Sequence, residues 1–216
     1  MISKLITIIF LYSISFFLAE FLYKKGLRSE YSRKVAHILG GFISLLLPIW
    51  FDVVTAVGIG IFFFVVLLAA QHKKLLNSVN KTDSYSAGAA LFPLGLAVSF
   101  AFFVPINLII FQGSVLILTL SDGMAGLLGY KFGKKKYNIT GEKSWLGSFL
   151  FFIITLLVLL TILYFVNSAL SVKMILFSIV GSLLLALLEG LLGRGLDNLA
   201  IPIASGSILY YLLYFL

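Results

Sequence analysis

The 216-residue chain contains no cysteine and only two histidines, His37 and His72. The first absence excludes disulfides, thiolate metal centres and cysteine nucleophiles. The second excludes a histidine-rich metal site. Charge is scarce too: 11% of residues are Asp, Glu, Lys or Arg, against about 25% in soluble domains. Apolar residues make up 61% of the chain, and the mean hydropathy is +1.13. That balance excludes a soluble globular domain, a disordered chain and a nucleic-acid-binding module. A polytopic membrane protein remains.

A spanning helix takes roughly 20 apolar residues. Eight apolar runs are present, at about 5–23, 35–50, 53–70, 85–104, 106–129, 146–166, 173–192 and 199–216. The first is followed at once by Lys24, Lys25, Arg28, Arg33 and Lys34. A secretory signal carries its charge ahead of the apolar run, so this run is expected to be retained as a span. The expected fold class is all-α: a polytopic membrane protein of about eight transmembrane helices, one domain over 1–216 with 1–27 its least specific part. Alternating sides places 14 of the 16 basic residues together, leaving only Lys4 and Lys173 opposite. Positive loops stay in the cytoplasm, so both termini are expected on the non-cytoplasmic side. Seven of the eight acids, all but Asp52, also fall on the cytoplasmic side. Carboxylates contribute little to orientation, so their gathering points to a site for cations or phosphates at that face.

Asp122 ends the apolar run that starts at Ser114. An ionisable group at such depth is costly and is a functional candidate. Its hard oxygens suit Mg²⁺ carrying a nucleotide's phosphates. Gly123, Gly126 and Gly129 share roughly one helix face, open to a ligand or another backbone; Gly133 follows. No Walker loop occurs. After the Lys134-Lys135-Lys136 run, which suits anionic lipid or nucleotide, come Lys143, Ser144 and Gly147. Lys143 suits a phosphate as a point charge, and Ser144 suits either an anion or the N-cap at a helix start. Arg33, Lys34 and His37 lie on one helical face and can address one phosphate, with His37 titrating near neutrality as a candidate base. Glu189 sits inside an apolar run. Asp197 and Asn198 precede the last span, with Pro202 in its first turn, a capping arrangement. In the fourth span, Ser86, Gly88 and Phe92-Pro93-Leu94-Gly95 are expected to break the helix, as is tolerated beside a cavity.

The string Asp122-Gly123-x-Ala125-x-x-x-Gly129-x-x-x-Gly133, followed by Lys143-Ser144-Trp145-x-Gly147-Ser148, resembles the signature of the phytol, farnesol and dolichol kinase family, which is related to phosphatidate cytidylyltransferases. Arg33-Lys34-x-x-His37 resembles its early basic element; Phe92-Pro93-Leu94-Gly95 and Glu189…Asp197-Asn198-Leu199-x-x-Pro202 match in order. The resemblance spans about 28–205, with 122–148 its specific part. Leu146 departs from the acidic residue that dolichol kinases carry there, which favours the phytol and farnesol branch. The resemblance implies a lipid kinase that moves the γ-phosphate of CTP to the hydroxyl of phytol, farnesol, geranylgeraniol or a similar polyprenol at the cytoplasmic face. Asp122 would hold Mg²⁺ and act in catalysis with Lys143, His37 and Glu189. Arg33, Lys34, Gly123, Gly126, Gly129, Gly133, Ser144, Gly147, Asp197 and Asn198 would bind nucleotide and phosphate. The proton acceptor stays open among His37, Asp83, Glu189 and Asp197. Expected partners are CTP or another nucleotide, an isoprenoid alcohol from the bilayer and membrane lipids, with no nucleic acid. A cytidylyltransferase making a CDP-lipid is the alternative. A non-enzymatic carrier is a further one, against which stands the lack of an internal repeat.

Overall fold

A computed structural model describes residues 2–73, 75, 78 and 87–216. Lys74, Lys81, Asp83 and Ser86 lie outside the described residues, so Asp83 as a proton acceptor is not among the groups placed below. The helices are α1 (Ile2–Lys24), α2 (Ser29–Ser44), α3 (Leu47–Trp50), α4 (Val53–His72), α5 (Gly88–Phe103), α6 (Leu108–Leu116), α7 (Gly123–Phe132), α8 (Trp145–Asn167), α9 (Val172–Leu191) and α10 (Asp197–Tyr214). Between α6 and α7 the chain makes a π-helical turn, Ile117–Asp122, so that 108–132 runs on as one rod. An antiparallel hairpin of β1 (Lys136–Asn138) and β2 (Glu142–Ser144) precedes α8, with Tyr137 opposite Lys143.

The core of each expected apolar run is helical among the described residues, but the count of eight spans is not reached by length and hydropathy. Among the described residues, six helical stretches are long and apolar enough to cross a membrane: α1, α2–α3, α4, 108–132, α8 and α9; α5 is shorter, at 16 residues. Together they mark an integral membrane protein. Side-chain caps set several helix starts: Asp52 Oδ1 accepts from the Thr55 amide at 2.9 Å, Asn107 Oδ1 from Ile109 at 2.9 Å, and Ser171 Oγ from Met174 at 3.1 Å. These satisfy amides that a helix cannot bond internally.

Two local expectations are corrected. α5 is unbroken, with Pro93 inside it; only one amide is forfeited there, and Pro93 lines a cavity. α10 begins at Asp197 itself, without a side-chain cap, so Pro202 falls in its second turn. Asn198 instead donates through Nδ2 to the Gly88 carbonyl at 2.8 Å and ties α10 to the start of α5.

The 108–132 rod is the central element: 67% of its apolar window is buried, against 22% for α1, α4 and α8. Around it α1 packs on α2, α4 on α5, α8 on α9 and α10 on α5. Phe100, Phe111, Phe151, Leu159 and Leu209 fill the core. Large apolar side chains such as Phe10, Phe17, Phe62 and Phe165 point outward, as lipid-facing residues do. Glycine lets α2 lie directly on the π turn: a Cβ on Gly41 would stand 1.9 Å from Thr119 Oγ1.

Candidate active site at one end of the bundle

The starts of α2, α5, α8 and α10 and the ends of 108–132 and α9 meet at one end of the bundle, beside the hairpin. Arg33, Lys34, His37, Asp122, Lys143, Glu189, Asp197 and Asn198 line one cavity there. Asp122, placed by the π turn, is almost fully buried. Lys34 Nζ donates to its Oδ2 at 2.6 Å and to its carbonyl at 3.0 Å. His37 Nε2 lies 3.3 Å from the same Oδ2 and 3.1 Å from the Leu118 carbonyl. Both neighbours are acceptors, which assigns the ring proton of neutral His37 to Nε2 and leaves Nδ1 as the basic nitrogen. A π turn is wider than an α turn and recurs at functional sites; here Ser121 is also held, accepting from Thr155 Oγ1 at 2.9 Å.

A second ion pair faces the first. Lys143 Nζ donates to Glu189 Oε1 at 2.6 Å, also bonds the Glu189 carbonyl, and lies 3.6 Å from Asp197 Oδ2. Burial alone would lower the Lys143 pKa, but the carboxylates of Glu189 and Asp197 outweigh it and raise it above the ordinary lysine value. Carboxylate oxygens of Asp122, Glu189 and Asp197 lie within 4.8 Å of one another. Glu189 Oε2 and Asn198 Oδ1 are buried without a hydrogen-bond partner. Three hard oxygen donors, one of them orphaned, fit a divalent cation such as Mg²⁺.

The glycines serve close packing. A Cβ on Gly123 would stand 2.7 Å from Ile38, and one on Gly126 would stand 2.2 Å from Lys34 Cε. On the other side of α7, Gly129 and Gly133 abut Ser144, and Gly147 lies against the Ala125 carbonyl and Ser144 Oγ. Ser144 caps α8, accepting from the Gly147 amide at 3.0 Å, and donates to the Gly129 carbonyl at 3.1 Å. α7 is thus wedged between α2 and α8, with Gly126, Gly129 and Gly147 still reaching the cavity wall.

Arg194 is one of the 14 basic residues expected to gather on one side of the membrane. It lines the cavity in a left-handed turn, φ 56°, followed by Gly195 at φ 90°. The turn is anchored where the Arg194 carbonyl accepts from the Ala87 amide at 3.0 Å. The signal available was Gly193-Arg194-Gly195 just ahead of Asp197. The cavity measures about 630 Å³ and continues past His37 into an apolar compartment formed by α1, α3, α4 and α5. One space therefore joins a cluster of carboxylates and cations to a hydrocarbon-lined interior.

Fold and site define an integral membrane protein with a buried polar centre open to an apolar compartment. Comparison with known proteins adds a similarity to named enzymes. The chain is 27% identical over 186 residues to the phytol kinase of Synechocystis sp., covering 83% of this chain and 78% of that relative. It is 28% identical over 158 residues to phytol kinase 1, chloroplastic, of Arabidopsis thaliana, covering 66% of this chain and 51% of that longer relative. No family model matches the chain, and no solved structure matches it. The chain is thus similar to phytol kinases over most of its length.

Proposed function

We propose that the protein transfers the γ-phosphate of CTP to the hydroxyl of an isoprenoid alcohol, phytol or a similar prenol, at the cytoplasmic membrane face. The observation that carries this reading is the single cavity with a charged end and an apolar end. An alcohol with a long hydrocarbon tail needs that combination. The choice of CTP rests on the family resemblance, and the cytoplasmic orientation on the one-sided basic loops.

Asp122, Glu189 and Asp197 would hold Mg²⁺, which when bound neutralises phosphate charge. Lys34 and Lys143 now neutralise these carboxylates and would turn to the phosphate oxygens, with Arg33 and Arg194 at the cavity wall beside them. The alcohol oxygen attacks the γ-phosphorus while the bond from that phosphorus to the β-bridging oxygen breaks. His37 Nδ1 takes the hydroxyl proton, with Nε2–H held by the Leu118 carbonyl and Asp122. The products are a prenyl monophosphate and CDP. Catalysis of this kind depends on positioning and charge stabilisation, which suits a pre-formed cluster of ion pairs.

The test is incubation of the purified protein with a prenol and CTP labelled at either the α- or the γ-phosphate. Label from the γ position in the lipid is the expected result. Label from the α position in a lipid-phosphate acceptor would instead show a cytidylyltransferase, and no transfer from any nucleotide would leave a carrier. ATP and UTP run in parallel identify the donor.

A further inference from the structure

Resting on the kinase reading, we propose that the deep end of the cavity gauges the length of the alcohol, with Leu47, Ala56 and Phe100 as its floor. All three line the cavity, and they are only 5%, 2% and 1% exposed. Phe100 is backed by the fully buried Phe111, ring centroids 4.9 Å apart, so this floor does not yield easily. The wall above it is fixed as well: the Tyr12 hydroxyl hydrogen-bonds Ser44 Oγ at 2.8 Å, and its ring stands 5.0 Å from that of Phe63.

Two helices give the depth independently. Along α5 the lining runs from Gly88, bonded to Asn198 at the polar end, down to Phe100; twelve helical steps are about 18 Å. Along α4 it runs from Leu67 to Ala56, about 16 Å by the same rise. An extended chain advances about 1.3 Å per bond, as the 3.8 Å spanned by three backbone bonds shows. Measured from its polar end, where the hydroxyl sits, the cavity therefore houses about 13 main-chain bonds, or three to four isoprene units at four bonds each. This depth is little more than half the roughly 30 Å hydrocarbon thickness of a bilayer. A polyprenol several times longer meets the floor before its hydroxyl reaches the carboxylates.

The experiment measures phosphorylation by the full chain of prenols with two, three and four isoprene units and of a long polyprenol. The wild type should turn over the three- and four-unit alcohols at least about tenfold faster than the long one, since a methylene or more of misfit in an apolar pocket is worth that much. Ala56→Phe raises the floor and should lower the ratio of four-unit to two-unit rates about tenfold; Leu47→Ala should move the ratio the other way. Ala56→Leu is the milder substitute where Ala56→Phe fails to fold. A flat length profile, or variants that scale all lengths equally, overturns the proposal. Should no prenol be phosphorylated with any nucleotide, the kinase reading fails and the gauge is read from thermal stabilisation by the same alcohols. An optimum at three to four units that shortens in Ala56→Phe then supports it, and equal stabilisation at every length overturns it.

Discussion

Lys34 and Asp122 give the sharpest quantitative expectation. Their charged atoms are 2.6 Å apart, with side chains 15% and 5% exposed. At an effective dielectric of 20 the attraction is about 6 kcal/mol, of which desolvation consumes a large share; removing one partner of a buried pair costs about 3 kcal/mol or more. Asp122→Asn should therefore destabilise by about 3 kcal/mol, leaving the Lys34 ammonium buried, while its amide oxygen still accepts from His37 Nε2. Lys34→Met should cost a similar amount, leaving the carboxylate short of its nearest cation. The double variant has no orphaned charge, so its cost should be about 3 kcal/mol rather than the sum, a coupling of about 3 kcal/mol. Denaturant unfolding of the four proteins in one detergent measures this cycle. Additivity within about 0.5 kcal/mol would refute the pair as a buried interaction. Phosphoryl transfer supplies the second readout: all three variants should lose on the order of 100-fold or more in rate, as when one transition-state-stabilising donor is removed. A double variant that regains activity along with stability would remove Asp122 from the metal and phosphate chemistry.

Other expectations follow from single contacts. Gly126→Ala places a methyl 2.2 Å from Lys34 Cε; driving Nζ off Asp122 breaks the buried pair, so stability measured by unfolding should drop by up to about 3 kcal/mol and transfer should drop at least about tenfold. Ser144→Ala removes the α8 cap and a bond to the Gly129 carbonyl and should cost about 1–2 kcal/mol, seen as a lowered Tm. Lys143 carries a raised pKa, so its ion pairs stabilise the fold fully below the ordinary lysine value of 10.5 and fade as pH climbs through the higher folded value. Tm should therefore decline above about pH 10.5 in the wild type and decline less in Lys143→Met. Chelation with EDTA should abolish transfer, and added Mg²⁺ should restore it; transfer that persists in EDTA would dismiss the cation.

The sequence made the helices legible because a run of apolar residues near bilayer length has few other uses, and it placed Asp122, Lys143 and His37 near one face through charge patterning alone. Pairing was not legible. Lys143 and Glu189 are 46 residues apart and Lys34 and Asp122 are 88 apart, and no local periodicity encodes which cation meets which carboxylate. The π turn was hidden as well, since Ile117–Asp122 reads like any apolar helix; its wider bonding is fixed by neighbours such as Gly41 and Thr155. The hairpin escaped because three-residue strands carry no period. Pro93 misled for the opposite reason: a break signal is strong locally, yet packing of α5 on α4 and α10 holds the helix through it. The charge of Arg194 carries no local signal of its role, because a basic residue beside a span has topology as its ready explanation.

The π turn fixes the phase of everything after it. Each residue along an α-helix advances the side-chain direction by about 100°, so one extra residue in the turn re-aims α7 as a whole relative to α6. The face of α6 that packs in the core and the face of α7 that carries Gly123 and Gly126 onto α2 are thus set independently, as two dials on one rod. Shortening 117–122 by one residue would leave composition, hydropathy and every motif nearly intact. It would swing the glycine face off Lys34 and Ser144 and carry Asp122 out of the cluster.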